Sequence, residues 1–86
     1  NSADVRNNYG NLLLALKRPL EGKAQYEAAI ALQPNKADGY HNLGNALGDL
    51  ERFDEAVASF QRALALRPRY VSALNGLGKA LRMQDK

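Results

Sequence analysis

Residues 3–36 and 37–70 of this 86-residue chain align with each other, without a gap, at 14 of 34 positions. Composition alone gives about three matches, so the chain is built on an internal repeat with a period of 34. The columns include Ala3 with Ala37, Asn8 with Asn42, Gly10 with Gly44, Asn11 with Asn45, Leu13 with Leu47, Ala29 with Ala63, Leu32 with Leu66 and Pro34 with Pro68, with Tyr26 over Phe60 as a conservative aromatic pair. A third copy starts at Val71 and keeps Leu77, Gly78, Ala80 and Leu81 in register. The expected organisation is one array over residues 1–86: a first repeat at 3–36, a second at 37–70, and the first helix of a third at 71–86. Two and a half units read as a stretch of a longer array, because arrays of this kind usually need about three units to bury a continuous core.

Each unit reads as two helices. Ala and Leu supply 14 residues each, while Val5, Ile30, Val57 and Val71 are the only β-branched residues, so strand formers are nearly absent. In the second unit Tyr40, Leu43, Leu47 and Leu50 recur at three- and four-residue steps, which predicts a helix over about 36–50. Pro34 blocks its backward extension, Asn35 is placed to cap it, and Asp38 sits near the free N–H groups of its first turn. A second helix is predicted over about 54–66, with Ala56, Val57, Phe60, Ala63 and Leu64 on its buried side. Glu51, Arg52 and Phe53 are too few to reach anything except an antiparallel neighbour, so the unit is a helical hairpin. Gly44 lies mid-helix, where Gly costs about 1 kcal/mol relative to Ala. Its recurrence as Gly10 and Gly78 implies a neighbouring helix that passes too close for a Cβ, with Ala56 and Ala63 as matching small residues and Phe60 and Tyr26 filling the space between hairpins.

The period of 34, with Tyr40, Leu43-Gly44, Leu47, Ala56, Phe60, Ala63 and Pro68 at its signature columns, resembles the tetratricopeptide repeat over essentially the whole chain. The resemblance implies an all-α fold of five helices, a right-handed α-solenoid of tandem antiparallel helix-turn-helix repeats acting as a protein-interaction scaffold. The first copy departs from the pattern, with Arg6, Pro19 and Gly22 where the second has Tyr40, Phe53 and Ala56. Pro19 suits the first turn of a helix, but the lost aromatic and the added Gly make this the unit expected to be looser.

The inventory for chemistry is nearly empty. His41 is the single histidine, with Ala37 and Asn45 as its neighbours one helical turn away, and there is no cysteine, so no metal pair and no thiol nucleophile exists. Ser2, Ser59 and Ser72 have no histidine beside them in the repeat. Gly44, Gly48, Gly76 and Gly78 fall inside predicted helices rather than in a phosphate-binding loop. The chain is not expected to be an enzyme or to carry a cofactor or metal. A net charge of +3 is modest, and Arg62, Arg67, Arg69, Lys79 and Arg82 fall near helix ends or on outer faces, so nucleic acid is not an expected partner. No apolar run reaches the roughly 18 residues that cross a bilayer. The absence of cysteine leaves the compartment open, with the cytoplasm as the default expectation.

Asparagine is the informative polar residue. Asn7, Asn8, Asn11, Asn42, Asn45 and Asn75 fall on the first helix of each unit, off the Leu stripe. The resemblance implies that these first helices line a concave groove, with Asn8 and Asn42 stacked as a ladder flanked by Asn11, Asn45 and His41. A side-chain amide both donates and accepts, so such a ladder holds a peptide backbone without demanding a particular side chain. The expected peptide-binding set is Asn7, Asn8, Asn11, His41, Asn42, Asn45, Asn75 and Lys79. A subtype of the family grips the C-terminal carboxylate of chaperones with Lys and Arg set among asparagines. Asn11 and Asn42 match that pattern, but its cationic positions read Asn7, Ser72 and Gly76, so the carboxylate clamp is not expected here. The alternative function is structural: a segment of a longer array, self-associating through its exposed repeat ends, attached to another domain. The runs at 7–11 and 41–45 are similar to repeats that precede glycosyltransferase domains, in which case the array presents the substrate.

Overall fold

The computed structural model describes residues 1–85, and these form five α-helices joined by short turns: α1 (Ser2–Ala15), α2 (Pro19–Leu32), α3 (Ala37–Asp49), α4 (Phe53–Leu66) and α5 (Val71–Gln84). Helices α1 and α2 form one antiparallel hairpin and α3 and α4 a second; α2 packs on α3, and α5 packs on α4. Helices α1, α3 and α5 also touch in sequence, so the first helices of the units make one continuous row in a body of 37 × 28 × 17 Å. The chain is all-α, as its composition and period predict.

Each hairpin turns through the same local device. The backbone N–H groups of Arg18 and Arg52 donate to the carbonyls of Leu13 and Leu47 at 2.8 and 2.9 Å, and those of Lys17 and Glu51 to Leu14 and Gly48 at 3.0 Å. This is the paired hydrogen bonding that closes a helix through one left-handed residue, here Lys17 (φ 62°) and Glu51 (φ 60°) rather than the usual glycine. Pro19 and Phe53 then stand at the first position of α2 and α4, where a missing N–H is not needed. The cap expected of Asn35 is not formed. Lys36 is the N-cap residue of α3 and makes no side-chain cap bond, and Asn35 lies in the turn after Pro34, held by the Lys36 N–H to Gln33 carbonyl contact at 3.3 Å. Asp38 stands in the first turn of α3 as expected, and there it also pairs with Arg67 at 3.1 Å and accepts from the Tyr70 hydroxyl at 3.3 Å.

The main core collects Ala37, Leu47, Ala56, Val57, Phe60, Ala63, Ala73 and Ala80, with Tyr40, Leu43, Leu64 and Leu77 partly buried against it. Phe60 is its organising side chain. An added Cβ at Gly44 of α3 would lie 2.7 Å from the ring, and one at Gly76 of α5 would lie 2.5 Å from it. The ring is therefore wedged between the first helices of successive units. In the first unit Tyr26, 1% exposed, occupies the same place against Gly10. The close approach expected at these glycines is real, but the intruder is an aromatic ring rather than small residues on the partner helix. Gly78, in the same column, has nothing within 4 Å.

The unusual glycine of the first repeat is compensated. A Cβ at Gly22 would run into the Leu14 side chain and come 3.1 Å from the Gly10 carbonyl oxygen. One period on, Leu14 becomes Gly48 and Gly22 becomes Ala56, so bulk on the first helix has been exchanged for bulk on the second. Gly22 is buried under that leucine.

Candidate functional site

The row of α1, α3 and α5 carries a hollow of about 430 Å³, lined by Asp4, Asn7, Asn8 and Asn11 of α1, Asp38 and Asn42 of α3, and Tyr70 at the start of α5. The side chains project there because positions 4, 8 and 11 recur at helical spacing and are matched by 38 and 42 one period later. Four of the asparagines singled out in the sequence thus come together. Their pairing differs from the expected ladder: the Asn42 side-chain amide donates to Asn7 Oδ1 at 3.4 Å, not to Asn8, which is exposed. Here the contact between units therefore joins neighbouring columns of the repeat, not the same one. Asn11 Oδ1 accepts from the Tyr26 hydroxyl at 2.6 Å, which leaves its NH2 as the group it presents outward. Burial, and secondarily the Asp49 charge, pushes the Tyr26 hydroxyl up to about 12, so it remains a donor.

The remaining candidates lie elsewhere. Asn45, Asn75 and Lys79 are exposed and outside the hollow. His41 is half-buried in the joint between units, its ring centroid 6.0 Å from that of Phe60 and 4.9 Å from that of Tyr70, with Nδ1 3.2 Å from the Tyr70 hydroxyl. A carboxylate only accepts, so the Tyr70 hydroxyl donates to Asp38 and its oxygen accepts from His41 in the tautomer that carries the proton on Nδ1. Arg67 closes the group from outside, its guanidinium 4.4 Å from the Tyr70 ring centroid.

Burial lowers the His41 pKa below its ordinary value of 6.5; the Asn42 contact and the Asp38 charge pull it up, and Arg67 pulls it down. Above 6.5 the imidazole is neutral in both folded and unfolded chain. Below it the unfolded chain binds the proton first, so stability falls as the pH drops from 6.5 through the folded value. Thermal unfolding followed by circular dichroism should show a lower Tm at about pH 5.5 than at about pH 7.5. His41→Gln should flatten this part of the profile; an unchanged slope would remove His41 as its source.

The sequence reading missed Asp4, Asp38 and Tyr70 as lining residues. Asp4 and Asp38 share one column of the repeat, about one helical turn ahead of Asn8 and Asn42. That column was the available signal. The hollow holds two carboxylates, four amides and a phenol, with no Lys or Arg among its lining residues. Among the described residues no group of three His, Cys, Asp or Glu is placed to hold a metal ion, and no helix is long and apolar enough to cross a membrane.

Models of the tetratricopeptide repeat match residues 3–36 and 37–70. The chain belongs to the tetratricopeptide repeat (TPR) family. The two matched segments are the two hairpins α1–α2 and α3–α4. Among curated protein sequences no significant match is found. Similar solved structures include the first TPR of Spaghetti (RPAP3) bound to the HSP90 peptide SRMEEVD, with TM-score 0.93 and 24% identity over 98% of this chain and 67% of that one. The second TPR of human RPAP3 in complex with the HSP70 peptide SGPTIEEVD gives TM-score 0.88 and 24% identity over 92% and 66%. The Arabidopsis OM64 TPR domain gives TM-score 0.89 and 25% identity over 92% and 65%. The present chain spans about two thirds of the length of these domains.

Proposed function

We propose that the array is a binding module that holds an extended protein segment along α1, α3 and α5, with Asn7, Asn8, Asn11 and Asn42 pairing with its backbone. The observation that carries this reading is the convergence of those amides on one open hollow. The peptide-bound relatives support it, since their fold superimposes on nearly the whole chain. The bound peptides there end in Glu-Glu-Val-Asp. This hollow is built for a different end group. Asn11 and Asn42 are present, but Asn7, Ser72 and Gly76 stand at the cationic positions of the carboxylate clamp, and Asp4 and Asp38 add negative charge. An acidic peptide terminus would find no cation at the clamp positions, and the nearby Arg67 guanidinium is already paired with Asp38 at 3.1 Å. The ligand is therefore an internal or non-acidic segment.

Fluorescence anisotropy with labelled peptides of neutral, basic and Glu-Glu-Val-Asp ends tests this. Neutral or basic peptides should bind at least about tenfold more tightly than the acidic one at low salt, because like charge across an interface costs several kcal/mol. The double variant Asn8→Ala, Asn42→Ala should lose that binding while retaining helicity. Equal retention by the double variant, or a preference for the acidic end, would overturn the assignment.

A further inference from the structure

Asn11 and Asn45 share a column of the repeat, and so do Tyr26 and Phe60, so the two units differ here by one hydroxyl group. Tyr26 is buried with its ring against Gly10, and its hydroxyl reaches Asn11 Oδ1 at 2.6 Å. That separation suits an O–H···O bond and is short for N–H···O, so the oxygen of the Asn11 amide is the atom that faces the hydroxyl. Burial keeps the Tyr26 pKa up at about 12, and the hydroxyl therefore keeps its proton to donate. Among the described residues no buried side-chain nitrogen or oxygen lacks a partner, and Asn11 is the partner that satisfies Tyr26. Asn11 itself is exposed and lines the hollow. The terminal torsion of an unattached asparagine is broad, so its oxygen and its NH2 exchange places freely. Asn11 is not free in this way. Turning its amide over would leave the buried Tyr26 proton without an acceptor, which disfavours that rotamer by about fivefold or more. Asn45 has only the Phe60 ring in the corresponding place, and the 3.4 Å contact between Asn42 and Asn7 is a much longer tether.

We propose that Tyr26 is a positioning residue for the binding reading given above, on which this inference rests: it fixes Asn11 as a hydrogen-bond donor, so that the hollow takes a carbonyl oxygen of the bound segment at that point. The core thereby sets the polarity of one surface contact. A bound peptide unit turns its carbonyl toward the Asn11 NH2, and because the peptide bond is trans, the N–H of that same unit points to the other side. A donor group of the ligand placed against Asn11 meets a donor and is rejected. The gain comes from preorganisation, since the amide is already held in its bound sense before the peptide arrives. Tyr26 touches no part of the ligand in this arrangement and acts only through Asn11.

A double-mutant cycle on the 86-residue chain, read by anisotropy of the labelled peptide with a neutral end, tests this. Tyr26→Phe should bind about three- to tenfold more weakly, the worth of one neutral hydrogen bond, and should stay helical because the same column holds Phe60. Asn11→Ala should lose about tenfold, and adding Tyr26→Phe to it should change affinity by less than about twofold, since no amide remains to be held. Asn11→Asp keeps an acceptor for Tyr26 but turns a second oxygen outward, so it should bind no better than Asn11→Ala. Without any peptide, the Asn11 side-chain NH2 signals in the NMR spectrum, assigned by their absence from Asn11→Ala, should shift and gain mobility in Tyr26→Phe. Unchanged Asn11 signals in that variant, a Tyr26→Phe loss that recurs in the Asn11→Ala background, full binding by Asn11→Ala, or tight binding by Asn11→Asp would each overturn the positioning role while leaving the groove itself standing. A wild-type chain that binds none of the peptides would overturn both.

Discussion

Phe60→Ala is expected to destabilise the chain by about 3–5 kcal/mol, the range for truncating a fully packed aromatic. A two-state domain of this size has about 4–13 kcal/mol of stability, from 0.05–0.15 kcal/mol per residue, so the loss is a large share of the whole. The reason is where the ring stands. It is 3% exposed and touches the space above both Gly44 and Gly76, the backbones of two different units. Removing it opens a void that neither helix can fill with a side chain, because each has a glycine there. His41, whose ring lies 6.0 Å from that of Phe60, loses part of its cover as well. Urea unfolding followed by circular dichroism measures the effect. A loss below about 1 kcal/mol would mean that the ring is peripheral and that the units are held together by their alanine contacts instead.

Much of this arrangement was legible in the sequence because it is periodic. The hairpins, the start of α2 at Pro19, and the burial of Ala56, Phe60, Ala63 and Leu47 follow from columns that repeat with helical spacing, while α4 starts at Phe53, one residue before the expected 54. What the period conceals is anything that depends on the offset between units. The amide of Asn42 reaches Asn7 rather than its own column mate Asn8. Asp38 reads as a helix-end charge in isolation; only the folded chain brings it to Arg67 and Tyr70, some thirty residues on. His41 sits in a polar run and reads as surface, yet the same junction encloses it between two aromatic rings. Leu14 and Gly22 each look like a defect in the first repeat, and become intelligible only as a pair that trades volume across the hairpin.

The same glycine column gives an expectation whose sign reverses along the chain. Gly44→Ala is expected to destabilise by about 1–3 kcal/mol, the usual cost of overpacking. The new methyl would lie 2.7 to 2.8 Å from three atoms of the Phe60 ring. That ring cannot yield toward the other side, where Gly76 already holds it at 2.5 Å from a virtual Cβ. Gly78→Ala makes the same chemical change two positions further along α5, with nothing within 4 Å to meet it. There only helix propensity acts, and Ala is favoured over Gly by about 1 kcal/mol in a helix interior. The substitutions should therefore move the urea midpoint in opposite directions, by a combined difference of about 2–4 kcal/mol. If both variants gained stability, the ring would have to be free to move out of the slot, and the wedge between α3 and α5 would not be the feature that fixes one repeat on the next.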